Sequence, residues 1–189
     1  PSGHRRPAGP REGENPLSIS TRRGDAGETN LLYGGRVAKH HPRVEAYGAL
    51  HEAVAALGLA RAGLPPGGLR EDVLRVQKEL FLIGSELAAD LAHLHRLATR
   101  IGEEHVQWLD GRLAEAEKAR PVTDWVMPGE GPVSAAFHLA STIIRRAERR
   151  AVKLRDDGLL EGAHLLTYLN RLADLLFMFA VLSDEPSGD

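Results

Sequence analysis

The chain has 189 residues, no cysteine, a formal net charge of -2, and is 42% hydrophobic and 26% charged. That length suits one domain with a single core. The absence of cysteine excludes disulfides, thiolate catalysis and Cys-ligated metals. The near-neutral charge gives no reason to expect nucleic acid or an anionic membrane as partner. No uninterrupted apolar run reaches the roughly 18 residues a bilayer span needs, and no secretory apolar core opens the chain, so a cytoplasmic location is expected. Aromatics make up only 5%, and Leu and Ala are abundant, which favours helices over a β-sandwich.

Residues 1–18 are rich in Pro, Gly and charge and read as a disordered leader. The domain is expected over 19–185. It begins with a Gly- and Thr-rich segment, 19–42, that is too irregular for a helix and shows no β pattern. A long loop of this kind tends to be functional or disordered. From Pro42 the apolar spacing becomes helical and continues to the Pro65-Pro66 break. A second helix is predicted over 69–95, with Leu69, Val73, Val76, Leu80, Ile83, Leu87 and Leu91 on one stripe. A third, more polar, covers 101–119. The breaker-rich run RPVTDWVMPGEGP follows, and then a fourth helix from Pro132 to about Asp157. The fifth, 160–183, is apolar nearly all round and is expected to lie centrally. The fold class is therefore all-α, an antiparallel five-helix bundle.

Three stretches carry chemistry. In Thr21-Arg22-Arg23-Gly24-Asp25-Ala26-Gly27-Glu28-Thr29, small residues let backbone approach a polyphosphate and Arg adds charge; the same composition also makes an ordinary surface turn. It is not a Walker A loop, because no GK[ST] follows. In Arg145-Arg146-Ala147-Glu148-Arg149-Arg150, a turn of about 3.6 residues puts Arg145 and Arg149 on one face and Arg146 and Arg150 on its neighbour. Two such rows form a forked anion site, or else a solvated face with Glu148 as internal partner. In Tyr168-Leu169-Asn170-Arg171-Leu172-Ala173-Asp174, Asn170 and Asp174 sit one turn apart on the most apolar helix, as a structural hydrogen-bond network or part of a site.

Taken in order, the TxxGDxGxT loop, a KxxPRVEAYG helix start, a Pro-Gly loop before RRAERR, and a late LNRLxDxLF resemble the PduO-type ATP:cob(I)alamin adenosyltransferases over residues 19–180. The resemblance implies a homotrimer of five-helix bundles with active sites between subunits, using ATP with Mg2+ and cobalamin. No protein-ligated metal is implied. It implies that Thr21, Arg22, Gly24, Asp25, Gly27, Thr29 and Lys39 line the ATP site from one subunit. Arg145, Glu148, Arg149, Asn170 and Arg171 would come from the next, with Arg145 and Asn170 in catalytic roles. A cobalamin reductase and an adenosylcobalamin-dependent client enzyme are the partners such a protein serves.

The departures from the family pattern fall on the corrin side and the subunit interface. The family's YGxxDELN reads Tyr47-Gly48-Ala49-Leu50-His51-Glu52-Ala53-Val54, so Asp has become His51 and Asn has become Val54. The family's partner for that Asp, an Arg four residues before RRAERR, is here Ser141, and a His51–Ser141 hydrogen bond across the interface is the expected replacement. The family's corrin-covering aromatic, usually Phe, is Trp125. The usual KDDPRV is Lys39-His40-His41-Pro42-Arg43-Val44, with His40 and His41 expected to be solvated. This leaves a second reading, a paralogue that binds a corrinoid or another tetrapyrrole without adenosylating it, as a carrier, sensor or repurposed enzyme.

Overall fold

The computed structural model describes Ser20 and residues 22–184. The 1–18 leader and Thr21 lie outside the described residues. Two short strands, β1 (Glu28–Asn30) and β2 (Arg36–Ala38), precede five helices: α1 (Pro42–Gly63), α2 (Gly68–Leu87), α3 (Glu103–Ala119), α4 (Pro132–Asp156) and α5 (Ala163–Ser183). A 3-10 helix, Leu91–Arg96, links α2 to α3.

Helix α1 starts where Pro42 takes the first helical turn and His41 caps it, its Nδ1 accepting from the Arg43 N–H at 3.2 Å. His41 is therefore a capping residue rather than merely a solvated one. The buried face of α1 is mostly alanine (Ala46, Ala49, Ala53, Ala56 and Ala60 beside Leu50 and Leu57), and α4 answers with Ala136, Ala140, Ala147 and Ala151. Small residues on both faces let the two helices approach closely, and α1 packs mainly on α4.

Helix α4, not α5, occupies the middle of the bundle, with α1 on one side and α5 on the other, while α3 lies beyond α5. The apolarity of α5 reflects being covered by α4 and α3 together. By length and composition α5 would also suit a membrane span, but 61% of that window is buried inside the bundle. Side chains tie α2 to the rest of the bundle: Arg112 of α3 binds Asp72 at 2.6 Å, and Arg75 lies 4.0 Å over the Trp108 ring.

The structure corrects two expectations about local elements. Helix α2 stops at Leu87, because the backbone of 88–90 pairs with the N-terminal segment: Leu32 N–H donates to Ala88 O at 2.8 Å and Asp90 N–H to Tyr33 O at 2.9 Å. Within 19–42, β1 and β2 form an antiparallel hairpin with Glu28 opposite Ala38 and Asn30 opposite Arg36. Gly34 permits the hairpin to sit against the end of α2. Its φ is 147°, and an added Cβ would lie 2.3 Å from an Asp90 carboxylate oxygen. Arg43, 2% exposed, anchors the same corner by donating to Leu87 O at 3.1 Å and Leu159 O at 2.6 Å.

Candidate functional site

The N-terminal loop is built as a tight turn running into the hairpin. Asp25 N–H donates to Arg22 O and Gly27 N–H to Gly24 O, and Lys39 N–H returns to Gly27 O at 2.9 Å. Arg22 takes φ 56°, a left-handed conformation that costs a non-glycine residue on the order of 1 kcal/mol. Lys39 crosses the turn so closely that a Cβ on Gly24 would lie 3.1 Å from Nζ and 3.2 Å from Cε. The result is a cleft of about 410 Å3 lined by Arg23, Gly24, Glu28, Thr29, Asn30, Arg36 and Lys39. Thr29 is held from below by a hydrogen bond with Tyr47 of α1; burial pushes the Tyr47 phenol up, and that bond opposes the shift.

The structure thus brings Gly24, Thr29 and Lys39 together. Arg22, Asp25 and Gly27 shape the turn around them. Arg23 and Glu28, which fall in the glycine-rich stretch without a role of their own, also line the cleft, as do Asn30 and Arg36. For Asn30 and Arg36 the signal was cross-strand adjacency, invisible without the hairpin.

The Arg run of α4 divides between two neighbours. Arg146 pairs with Glu52, and Arg150 with Glu45 at 2.7 Å, so that row fastens α4 to α1. The other row faces α5. Arg145 binds Asp174 at 2.7 Å with both side chains nearly half exposed, and Arg149 donates to the Arg145 carbonyl at 3.2 Å. The two rows therefore do not form one fork. Only Arg145 and Arg149 remain on the face beside Asn170, whose Nδ2 donates to Glu148 Oε1 at 3.2 Å and whose Oδ1 accepts from Arg171 at 2.9 Å. Arg171 is in turn fixed by Asp110 of α3 at 2.9 Å.

Beside this array runs a cleft of about 540 Å3, lined by Leu113, Val122, Arg145, Asp174, Phe177 and Met178 among others. Phe177 also lines the adjoining cleft under Trp125, whose indole is 99% exposed. Behind Phe177, its ring edge meets buried His138 at 5.5 Å, and burial pulls the His138 imidazole down against the opposing charge of Asp184.

Within one chain the residues expected at the corrin side and interface lie apart. His51 is exposed on α1, 5.8 Å from the Tyr47 ring, in a small cleft with Leu32 and Phe81. Val54 packs against the core, and its carbonyl accepts from Gln77 at 2.9 Å. Ser141 is 5% exposed, and its hydroxyl donates to Ala173 O of α5 at 2.7 Å. The expected His51–Ser141 contact is one between subunits; within a single chain the Ser141 hydroxyl is already engaged by α5.

Residues 19–183 match the cobalamin adenosyltransferase family profile. The chain is 40% identical over 174 residues to the corrinoid adenosyltransferase of Citrobacter freundii, covering 88% of this chain and 94% of that protein. It is 37% identical over 179 residues to the corrinoid adenosyltransferase of Bacillus subtilis, covering 91% and 89%. Its fold matches a variant PduO-type ATP:corrinoid adenosyltransferase from Lactobacillus reuteri, complexed with cobalamin and ATP, with a TM-score of 0.77 and 29% identity over 86% of this chain and 89% of that one. A second variant of that enzyme, complexed with ATP, matches with a TM-score of 0.79 and 29% identity over 88% and 94%. With the helical bundle, the glycine loop and the Arg–Asn array all in family order, the chain belongs to the PduO-type cobalamin adenosyltransferase family.

Proposed function

We propose that the chain is an ATP:corrinoid adenosyltransferase that transfers the 5′-deoxyadenosyl group of ATP to cob(I)alamin at sites shared between three subunits. The observation that carries the shared site is a separation. Among the described residues, the loop cleft around Gly24, Thr29 and Lys39 contains none from α4 or α5, and the cleft beside Arg145 contains none from the loop. Each chain offers two half-sites that face different neighbours. A homotrimer closes one chain's loop over the next chain's Arg145, Arg149 and Asn170.

The chemistry asks little of side chains as acids or bases. The electron pair of Co(I) attacks the ribose C5′, a cobalt–carbon bond forms, and the C5′–oxygen bond breaks with its electrons leaving on triphosphate. Rate then depends on holding C5′ in line and on stabilising charge as it grows on the departing oxygens. Lys39 and the loop N–H groups serve one side of the triphosphate, and Arg145 and Arg149 serve the other. Glu148, steadied by the Asn170 amide N–H, offers a carboxylate oxygen, the donor type that suits Mg2+, which would share the phosphate charge. The apolar wall of Val122, Trp125, Phe177 and Met178 provides the surface for a corrin.

An anaerobic mixture of the protein, cob(I)alamin and MgATP, followed optically, is expected to develop the spectrum of adenosylcobalamin. A protein that binds cob(I)alamin and MgATP yet forms no cobalt–carbon bond would establish the non-adenosylating reading instead. Sedimentation is expected to give about three times the chain mass, and a strict monomer at micromolar concentration would refute the shared site.

A further inference from the structure

Within the loop cleft one group has the wrong sign for a phosphate site. Arg23, Arg36 and Lys39 line it with Glu28. The Glu28 carboxylate is not directed away from the cations: Oε2 accepts from Arg36 Nε at 3.1 Å. The hairpin register creates this pair. Arg36 lies opposite Asn30, which sets Glu28 two residues along β1 on the diagonal, within reach of a long side chain. Arg36 is further fixed from its other side, where Nη2 donates to Arg23 O at 3.0 Å across the turn. A guanidinium held in place by a carbonyl on one edge and a carboxylate on the other is oriented in advance for an oxyanion.

We infer that Glu28 is an internal competitor for the nucleotide's phosphates: it neutralises Arg36 in the free protein and gives it up when a polyphosphate fills the cleft. The inference rests on the nucleotide-site reading above and adds Arg36 and Glu28 as the pair that sets affinity for the triphosphate end. The exchange is physically even-handed, since carboxylate and phosphate oxygens accept the same charge-assisted bonds from a guanidinium. Both side chains are about half exposed, so the pair is weak enough to break, and Arg36 keeps its Arg23 anchor while it does so. A tether of this type keeps an Arg from collapsing onto the wrong partner and leaves affinity below its maximum, which also helps the triphosphate product to leave.

The test is calorimetric titration of the full chain with inorganic triphosphate and, separately, adenosine. Glu28→Gln is expected to bind inorganic triphosphate about threefold tighter than the parent, the scale of one exposed charge pair, with adenosine unchanged. Arg36→Gln is expected to bind triphosphate about tenfold more weakly. In the Arg36→Gln background the gain from Glu28→Gln is expected to shrink, because no guanidinium is left to release. Equal or weaker triphosphate binding by Glu28→Gln overturns the inference, as does an undiminished gain in the Arg36→Gln background. A parent that binds triphosphate while Glu28→Gln changes nothing removes this inference alone. A parent that binds no triphosphate removes the nucleotide-site reading with it.

Discussion

Tyr168 and Glu79 meet across the interface of α5 and α2, the phenol donating to a carboxylate oxygen 2.7 Å away with both residues buried. The other carboxylate oxygen takes Arg75 at 2.7 Å, and Arg75 lies over Trp108 of α3. Tyr168 and Arg75 thus satisfy one buried charge, with Trp108 packed on Arg75, and Tyr168 lies two residues before Asn170. This brace fixes the part of α5 that carries the candidate site.

Removing the phenol oxygen leaves Glu79 buried with one donor fewer. Tyr168→Phe is expected to lower unfolding stability by about 1–3 kcal/mol in chemical denaturation. The pH dependence has a definite sign. Burial, and then the Glu79 charge, push the Tyr168 pKa well above its ordinary 10.0. The folded state therefore holds a proton that the unfolded chain releases above that value, so this contribution is full below about pH 10 and is lost as pH rises further. Tyr168→Phe should flatten the alkaline limb of the stability profile, and an unchanged limb would show that another group governs it.

The helical scaffold was legible in the sequence because its signals are local. Pro42 and Pro132 mark first turns, and the alanine and leucine stripes give α1, α3, α4 and α5 nearly to their ends. What escaped depends on contacts between distant segments. The hairpin strands are three residues each, too short for a period, and α2 ends at Leu87 only because residues 32–33 take over its backbone partners. The helical spacing separated the two Arg rows of α4 correctly, but spacing cannot say that Glu45 and Glu52 of α1 would claim one row. The Ser141 position illustrates the same limit: spacing does not show that its hydroxyl reaches the Ala173 carbonyl of α5.

Two glycines in the N-terminal segment should respond differently to alanine. At Gly34 the new Cβ meets the Asp90 carboxylate at 2.3 Å in a backbone conformation that alanine resists, so Gly34→Ala is expected to cost about 1–3 kcal/mol of stability. At Gly24 the neighbour is the mobile end of Lys39, which can swing aside. Gly24→Ala should leave thermal unfolding almost unchanged and weaken MgATP binding by displacing Lys39. The reverse pattern would mean that the loop, and not the α2 corner, is the structural element.

Arg145 and Trp125 separate the two substrates. The Arg145 guanidinium is aimed by Asp174 and borders the larger cleft, while Trp125 is almost fully exposed on the loop before α4. Arg145→Ala is expected to weaken MgATP binding by the roughly 1.5–3 kcal/mol of a charged hydrogen bond, and Trp125→Ala to leave it near the parent value. Cobalamin affinity should show the opposite order, because Trp125 supplies apolar area and Arg145 does not. Calorimetry with each ligand distinguishes the two, and equal losses for MgATP would mean the halves are misassigned.

The last prediction concerns the position where the family carries an interfacial cation. Ser141 sits on α4 against α5, 5% exposed, with its hydroxyl on Ala173 O at 2.7 Å, whereas His51 is exposed on α1 beside Tyr47. Ser141→Ala removes one buried hydrogen bond and should cost about 1 kcal/mol. Ser141→Arg must instead place a guanidinium between two packed helices or prise them apart, and should cost several kcal/mol. His51→Asp changes an exposed side chain and should be nearly neutral for folding. If the two positions faced each other, pairing His51→Asp with Ser141→Arg would restore much of the loss. The observed geometry predicts no such rescue, and the double variant should show the sum of the single effects within about 0.5 kcal/mol. Chemical denaturation of all three variants against the parent reads this directly. A recovery of more than about 1 kcal/mol would show that, in the assembled protein, Ser141 turns away from Ala173 towards a neighbouring subunit's α1.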